Sequence, residues 1–163
     1  MGGCTNNFIF RLLSINLMMV YSVFHLILSL LIVFLVDIVR KYIHECGHEK
    51  QYKKYKILSR IGIDWNKFGM FACRIEEDQY EKFDKLKLKA KKNIFLIGPL
   101  IDLIASIFFA LMFLILPSMT YFGLFLALIL SFFSFLINAS PLSGSDYKNY
   151  LNFKNGMKLY NNP

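Results

Sequence analysis

His44, Glu45 and His48 stand in the order H-E-C-G-H at the end of a hydrophobic stretch long enough to cross a bilayer. On a helix, residues four apart share a face, so both imidazoles can approach one Zn²⁺ while Glu45, one step round, can take a proton from water at the metal. Two ligands and a general base are then in place. Asp146, the only carboxylate after Asp102, follows the last hydrophobic run in the segment N-A-S-P-L-S-G-S-D at 138–146. A His₂Asp set would leave one tetrahedral position for water, which distinguishes a catalytic zinc site from a closed structural one. His25 does not belong to the set, because nineteen residues of helix place it roughly 28 Å from His44. Cys46 points off the shared face and reads as packing. Asp37 reads as an ion-pair partner of Arg40 or Lys41.

The elements that must position these groups are apolar to an unusual degree. Of 163 residues, 56% are hydrophobic and 17 are Phe, and the mean hydropathy is +0.45, beyond an ordinary water-soluble domain. Three runs, about 17–43, 93–117 and 120–138, can each cross the roughly 30 Å apolar layer as helix. The chain therefore reads as a single unit, 1–163: an all-α membrane protein with three transmembrane helices and a short β-hairpin-like segment between the first and second. A cleaved signal peptide is disfavoured, since the apolar run within 8–39 is far longer than an h-region and no small-residue cleavage site follows before His44.

Charge orients the chain. Of 19 Lys and Arg, 15 lie between Arg40 and Lys92 and three follow the last run, leaving only Arg11 for the other side. By the positive-inside rule, the basic segment 49–92 and the tail 147–163 are cytoplasmic, and the N-terminus and the turn at 117–119 face outward. The net charge of +8 then reflects topology and attraction to anionic lipid, with no nucleic-acid partner. Heavy use of Lys, Asn, Ile and Phe points to a bacterial cytoplasmic membrane. Three cysteines imply no disulfide framework. Gly2 begins a myristoylation-like start, but Asn6 stands where Ser or Thr is wanted, so no lipid anchor is expected.

Local patterns supply the rest. Residues 57–63 and 68–75 read as strands around a turn at 64–67, and 76–93 as an amphipathic helix along the headgroups. Gly98-Pro99 should kink the second helix or delay its start. A turn at 117–119 sends the third helix back, bringing its C-terminal end beside that of the first. Asn138 and Pro141 then loosen the chain so that Asp146 can return to the histidines. Ser143, Gly144 and Ser145 suit a turn and not a serine hydrolase, because no histidine shares the loop.

Three separated motifs carry a family likeness: H-E-C-G-H at 44–48, G-P-L-I-D at 98–102, and N-A-S-P-L-S-G-S-D at 138–146. With them the chain resembles the site-2 proteases, zinc metalloproteases that cut peptide bonds within or at the edge of the membrane. The likeness covers about residues 17–150, in a minimal form without PDZ or CBS domains. It implies one Zn²⁺ per chain held by His44, His48 and Asp146, with Glu45 as general base. Asn138 and Asp102 are implied as substrate-positioning residues. Tyr147 stands where the family has glycine, and Asp102 where it has asparagine.

The expected function is intramembrane zinc endopeptidase, acting on membrane-inserted or hydrophobic peptides. The alternative is a catalytically silent member serving as a membrane peptide-binding, immunity or adaptor protein. A small transporter lacks the paired helices that usually build one.

Overall fold

The computed structural model describes residues 23–64, 70–116 and 121–158. Residues 1–22, 65–69, 117–120 and 159–163 lie outside them, and with them the expectations on acylation, on the start of the first span, on most of the turn expected at 64–67 and on the turn expected at 117–119. The order is α1 (Val23–Lys54), β1 (Ser59–Asp64), β2 (Met70–Ile75), a 3₁₀ turn (Glu77–Gln79), α2 (Tyr80–Asp84), α3 (Leu88–Ile115), α4 (Tyr121–Asn138) and α5 (Asp146–Lys154). Helix dominates, with one two-stranded antiparallel sheet.

α1 runs six residues past His48, further than the change of composition at 49 suggests. Glu49 pairs with Lys53 across one turn at 3.0 Å, and Lys53 and Lys54 lie at the end where cations complement the helix dipole. It stops where Lys56 takes a left-handed φ of 57°. The Lys56 amide donates to Lys53 O at 2.9 Å and the Ile57 amide to Tyr52 O at 3.0 Å, the paired bonds of a Schellman ending. Tyr52 and Ile57 are both buried there, so the helix end is also a hydrophobic contact.

The hairpin forms where the β-branched and aromatic residues place it, with Ile61 opposite Cys73 and Arg60 opposite Arg74. Residues 76–93 do not make one amphipathic helix. They split into the 3₁₀ turn, α2 and the first turn of α3, because Phe83 is fully buried and Leu86 packs on the same core, so the chain must bend to bring both inward. The helix of the second run also begins early, at Leu88, and carries Pro99 in its interior. A proline normally excludes helix at the preceding residue by collision with that residue's Cβ, and Gly98 has none.

The buried centre is an aromatic cluster at one end of the molecule. Phe153 of α5 lies between Phe83, with centroids 5.2 Å apart, and Phe95, stacked at 5.5 Å. The Lys91 ammonium sits 5.1 Å from the rings of both Phe83 and Phe153. This core ties the end of α1, the hairpin, α2, the start of α3 and α5 into one body. Toward the other end α3 and α4 pack through Phe113 and Phe125, while many large apolar side chains remain exposed. Among the described residues one helix, Leu88–Ile115, is long and apolar enough to cross a membrane, and α4 is apolar over a shorter length.

Candidate metal centre

Three helix ends meet above the aromatic core: the last turns of α1, the early turns of α3 and the end of α4. α1 supplies Arg40, His44 and His48 from one row of positions four apart, all three buried. α4 ends at Asn138, and the chain turns through Ser140, with Ser140 Oγ donating to Ile137 O at 2.8 Å. Gly144 takes a φ of 81°, a left-handed conformation that glycine adopts without strain. Ser145, almost fully buried, donates to Ser140 O at 2.6 Å and caps α5 by accepting from the Lys148 amide at 3.1 Å. Asp146 therefore opens α5, its carboxylate at the positive end of the helix. Tyr147 needs no left-handed backbone, because it is the second residue of that helix.

The three expected ligands come together. His44 Nε2 lies 3.1 Å from Asp146 Oδ2 and 3.2 Å from His48 Nε2, and His48 Nε2 lies 3.3 Å from Asp146 Oδ2. One atom from each residue is thus placed where a single metal ion could be held. The other ring nitrogens show which atoms are available. His48 Nδ1 is 2.8 Å from the Ile94 carbonyl, which can only accept, so Nδ1 carries a proton and, in the neutral ring, Nε2 keeps the lone pair. His44 Nδ1 is 3.1 Å from Asp102 Oδ2, leading to the same assignment. With both rings neutral, no donor faces Asp146 Oδ2; a proton on either Nε2, which then donates to the carboxylate, or a metal ion would balance the charge there. Burial alone would raise the Asp146 carboxyl, but its hydrogen bonds with His44 and His48 outweigh that and hold its pKa down at about 2.

Gly98 has a specific part in this centre. A Cβ at that position would overlap the His44 ring and fall 2.6 Å from Asp146 Oδ2. The glycine that lets Pro99 remain helical thus also keeps space open between the ligands.

Glu45 lines the same cavity but is turned toward the hairpin, its Oε2 accepting from the Cys73 amide at 2.8 Å. The Glu76 amide donates across the sheet to Leu58 O at 3.2 Å, and amides alternate along a strand, so the Cys73 N–H faces away from β1. Glu45 therefore sits on the open edge of β2. The Cys73 thiol is raised to about 11, chiefly by burial, and is a poor nucleophile.

Asp102, implied as a substrate-positioning residue, is fully buried behind His44, where it accepts from Arg40, His44, Ser134 and Asn138. Asn138 does face the cavity while giving its amide to Asp102 at 3.0 Å. Asp37 pairs with Arg40 and Lys41, both at 2.7 Å, as its spacing suggests. The sequence reading missed the reach of Arg40 to Asp102 and the closeness of Gly98 to the ligands. Arg40 had a signal, four residues before His44 on the same face. Gly98 had none, since its neighbours come from α1 and α5.

The cavity holds about 520 Å³, polar at His44, Glu45, His48 and Asp146 and apolar along Phe71, Leu130, Phe133 and Ile137. Comparison with family models, curated proteins and solved structures returns no match for this chain.

Proposed function

We infer that the protein is an intramembrane zinc endopeptidase that hydrolyses peptide bonds in membrane-inserted or hydrophobic peptides. The observation that carries this reading is the convergence of His44 Nε2, His48 Nε2 and Asp146 Oδ2, with Glu45 in the same cavity. The three atoms are separated by 3.1, 3.2 and 3.3 Å. Ligands on a tetrahedral zinc at its usual bond lengths are about 3.3 Å apart. Two imidazoles and one carboxylate also form an open catalytic donor set.

Zinc bound there would supply Lewis acidity, polarising the scissile carbonyl and lowering the pKa of water toward about 7. Glu45 accepts the proton as water adds to the carbonyl carbon, and returns it to the leaving amine as the C–N bond breaks. Asp102 holds the His44 ring, and the apolar wall receives the hydrophobic side chains of the peptide. A regular transmembrane helix shields its peptide bonds, so the substrate unwinds locally and adds as a strand to the open edge of β2.

On this reading three spans cross a bacterial cytoplasmic membrane, with the N-terminus outside and the centre near the cytoplasmic face. The exposed apolar residues of the helices support it, since lipid is the solvent that tolerates such a surface. A second reading, a silent peptide-binding or adaptor protein, draws support from the hold of the β2 amide on Glu45.

The test is the zinc content of detergent-purified protein beside Asp146→Ala. About one zinc per chain, largely lost in the variant, is expected. Cleavage of a hydrophobic peptide by the parent and not by Glu45→Gln would then separate enzyme from binder. Metal-free parent from zinc-replete cells would sink the protease reading.

A further inference from the structure

We propose that Asp102, charge-balanced by Arg40, is the positioning residue that sets His44 to donate to the metal through Nε2. This rests on the metal-centre reading above and concerns Asp102, which does not line the cavity, and Arg40, which reaches it from the cavity wall.

Asp102 Oδ2 lies 3.1 Å from His44 Nδ1, 3.0 Å from Ser134 Oγ and 3.0 Å from Asn138 Nδ2. Oδ1 accepts from Arg40 Nη1. Arg40 reaches in the other direction to Asp37 Oδ1, with Nε at 3.1 Å and Nη2 at 2.7 Å. The ion pair at its centre is shielded, Asp102 at 0% and Arg40 at 7% exposure, while Asp37, Ser134 and Asn138 are partly buried. Guanidinium, amide NH₂ and hydroxyl all donate here, and a carboxylate has nothing to give back. The fourth partner, His44 Nδ1, must then also be a donor. A neutral ring has one N–H, so the lone pair is left on Nε2, the atom facing His48 and Asp146.

An amide at this position would not do the same. Its single oxygen faces four donors. With the oxygen toward His44, Ser134 and Asn138, its NH₂ is pressed against Arg40. Turned round, the NH₂ donates to His44 Nδ1 and selects the opposite tautomer, whose Nε2 proton points at Asp146 and excludes a metal ion. Arg40 makes the carboxylate tolerable at this depth, since a buried charge without a counter-charge is strongly disfavoured. Ser134 shares the same oxygen yet has no influence on the imidazole tautomer.

Co²⁺ titration of the whole protein in detergent, followed by visible ligand-field absorption, tests this. The parent should bind one Co²⁺. Asp102→Asn should bind with a Kd weaker by about 10- to 100-fold, the range seen when a ligand's supporting partner is removed, and with an altered spectrum. Arg40→Gln should shift in the same direction by less, and Ser134→Ala should match the parent. A parent-like Kd and spectrum in folded Asp102→Asn would overturn the proposal while leaving the metal centre intact. A parent that binds no Co²⁺ would overturn both. Independently of any variant, ¹⁵N-histidine NMR of the zinc-loaded parent should show His44 bound through Nε2 with its Nδ1 proton retained, and coordination through Nδ1 would refute the assignment.

Discussion

The two ends of this molecule are built on opposite principles. Around Phe83, Phe95 and Phe153 the chain packs as a water-soluble domain does, with rings in edge and stacked contact, a lysine over two of them, and neighbours drawn from five elements. Along the middle of α1, α3 and α4 the order is inverted. Phe34 is 62% exposed and Ile104 57%, while the buried positions include Ser106 and Ser131, each bonded to a backbone carbonyl of its own helix. On the proposed membrane reading this order is what lipid would select, since lipid gives no reward for burying a leucine. The centre lies between the two regimes. His44 and Asp146 are clamped from below by the aromatic core and from behind by the Asp102 network, so the packed end supplies rigidity and the helical shafts supply the setting.

That contrast can be broken at several points. Gly98→Ala should have the largest effect, cutting bound zinc from about one per chain to near none, because a methyl would occupy the space between His44 and Asp146. Circular dichroism should lose little overall helix, since the Cβ introduced before Pro99 strains only the one turn of α3 that carries it. A zinc-loaded Gly98→Ala would mean that the ligands are not poised as described. Glu45→Gln comes next, lowering peptide cleavage by about 10²- to 10⁴-fold, the usual contribution of a general base, with zinc retained. Metal analysis and a cleavage assay on the same preparation check both halves.

Stability should separate the two ends more gently. Phe83→Ala removes a ring with 0% exposure at the centre of the packed end and should cost about 3–5 kcal/mol, read as an early loss of near-ultraviolet dichroism on denaturation. Ile107→Ala, at a shaft position 53% exposed, should stay within about 0.5 kcal/mol of the parent in detergent. Comparable losses in these two variants would show that the shafts are packed as tightly as the core and that the contrast is mistaken.

Much of this was legible beforehand because it depends on local spacing. Four-residue intervals put His44 and His48 on one face of a helix whatever surrounds it, and alternating β-branched and aromatic residues paired β1 with β2 close to the expected bounds. The extension of α1 to Lys54 was not legible, since a polar composition at 49–54 suits both helix and loop, and burial of Tyr52 and Ile57 against the core decides between them. The interior position of Pro99 was likewise hidden, as a rule about proline in general gave way to the particular absence of a Cβ at Gly98.

By itself, then, the sequence determined the ligand types, their one-sided placement on α1, the return of the chain through Gly144 and Ser145 to Asp146, and the greasy character of the long helices. Only the tertiary structure decided which nitrogen of each histidine faces the other ligands, that Asp102 lies buried behind His44, and that Glu45 rests on the edge of β2. Periodicity and turn chemistry act through neighbours in the chain, whereas a tautomer is set by a donor or acceptor arriving from another helix, fifty-eight positions away for Asp102 and His44.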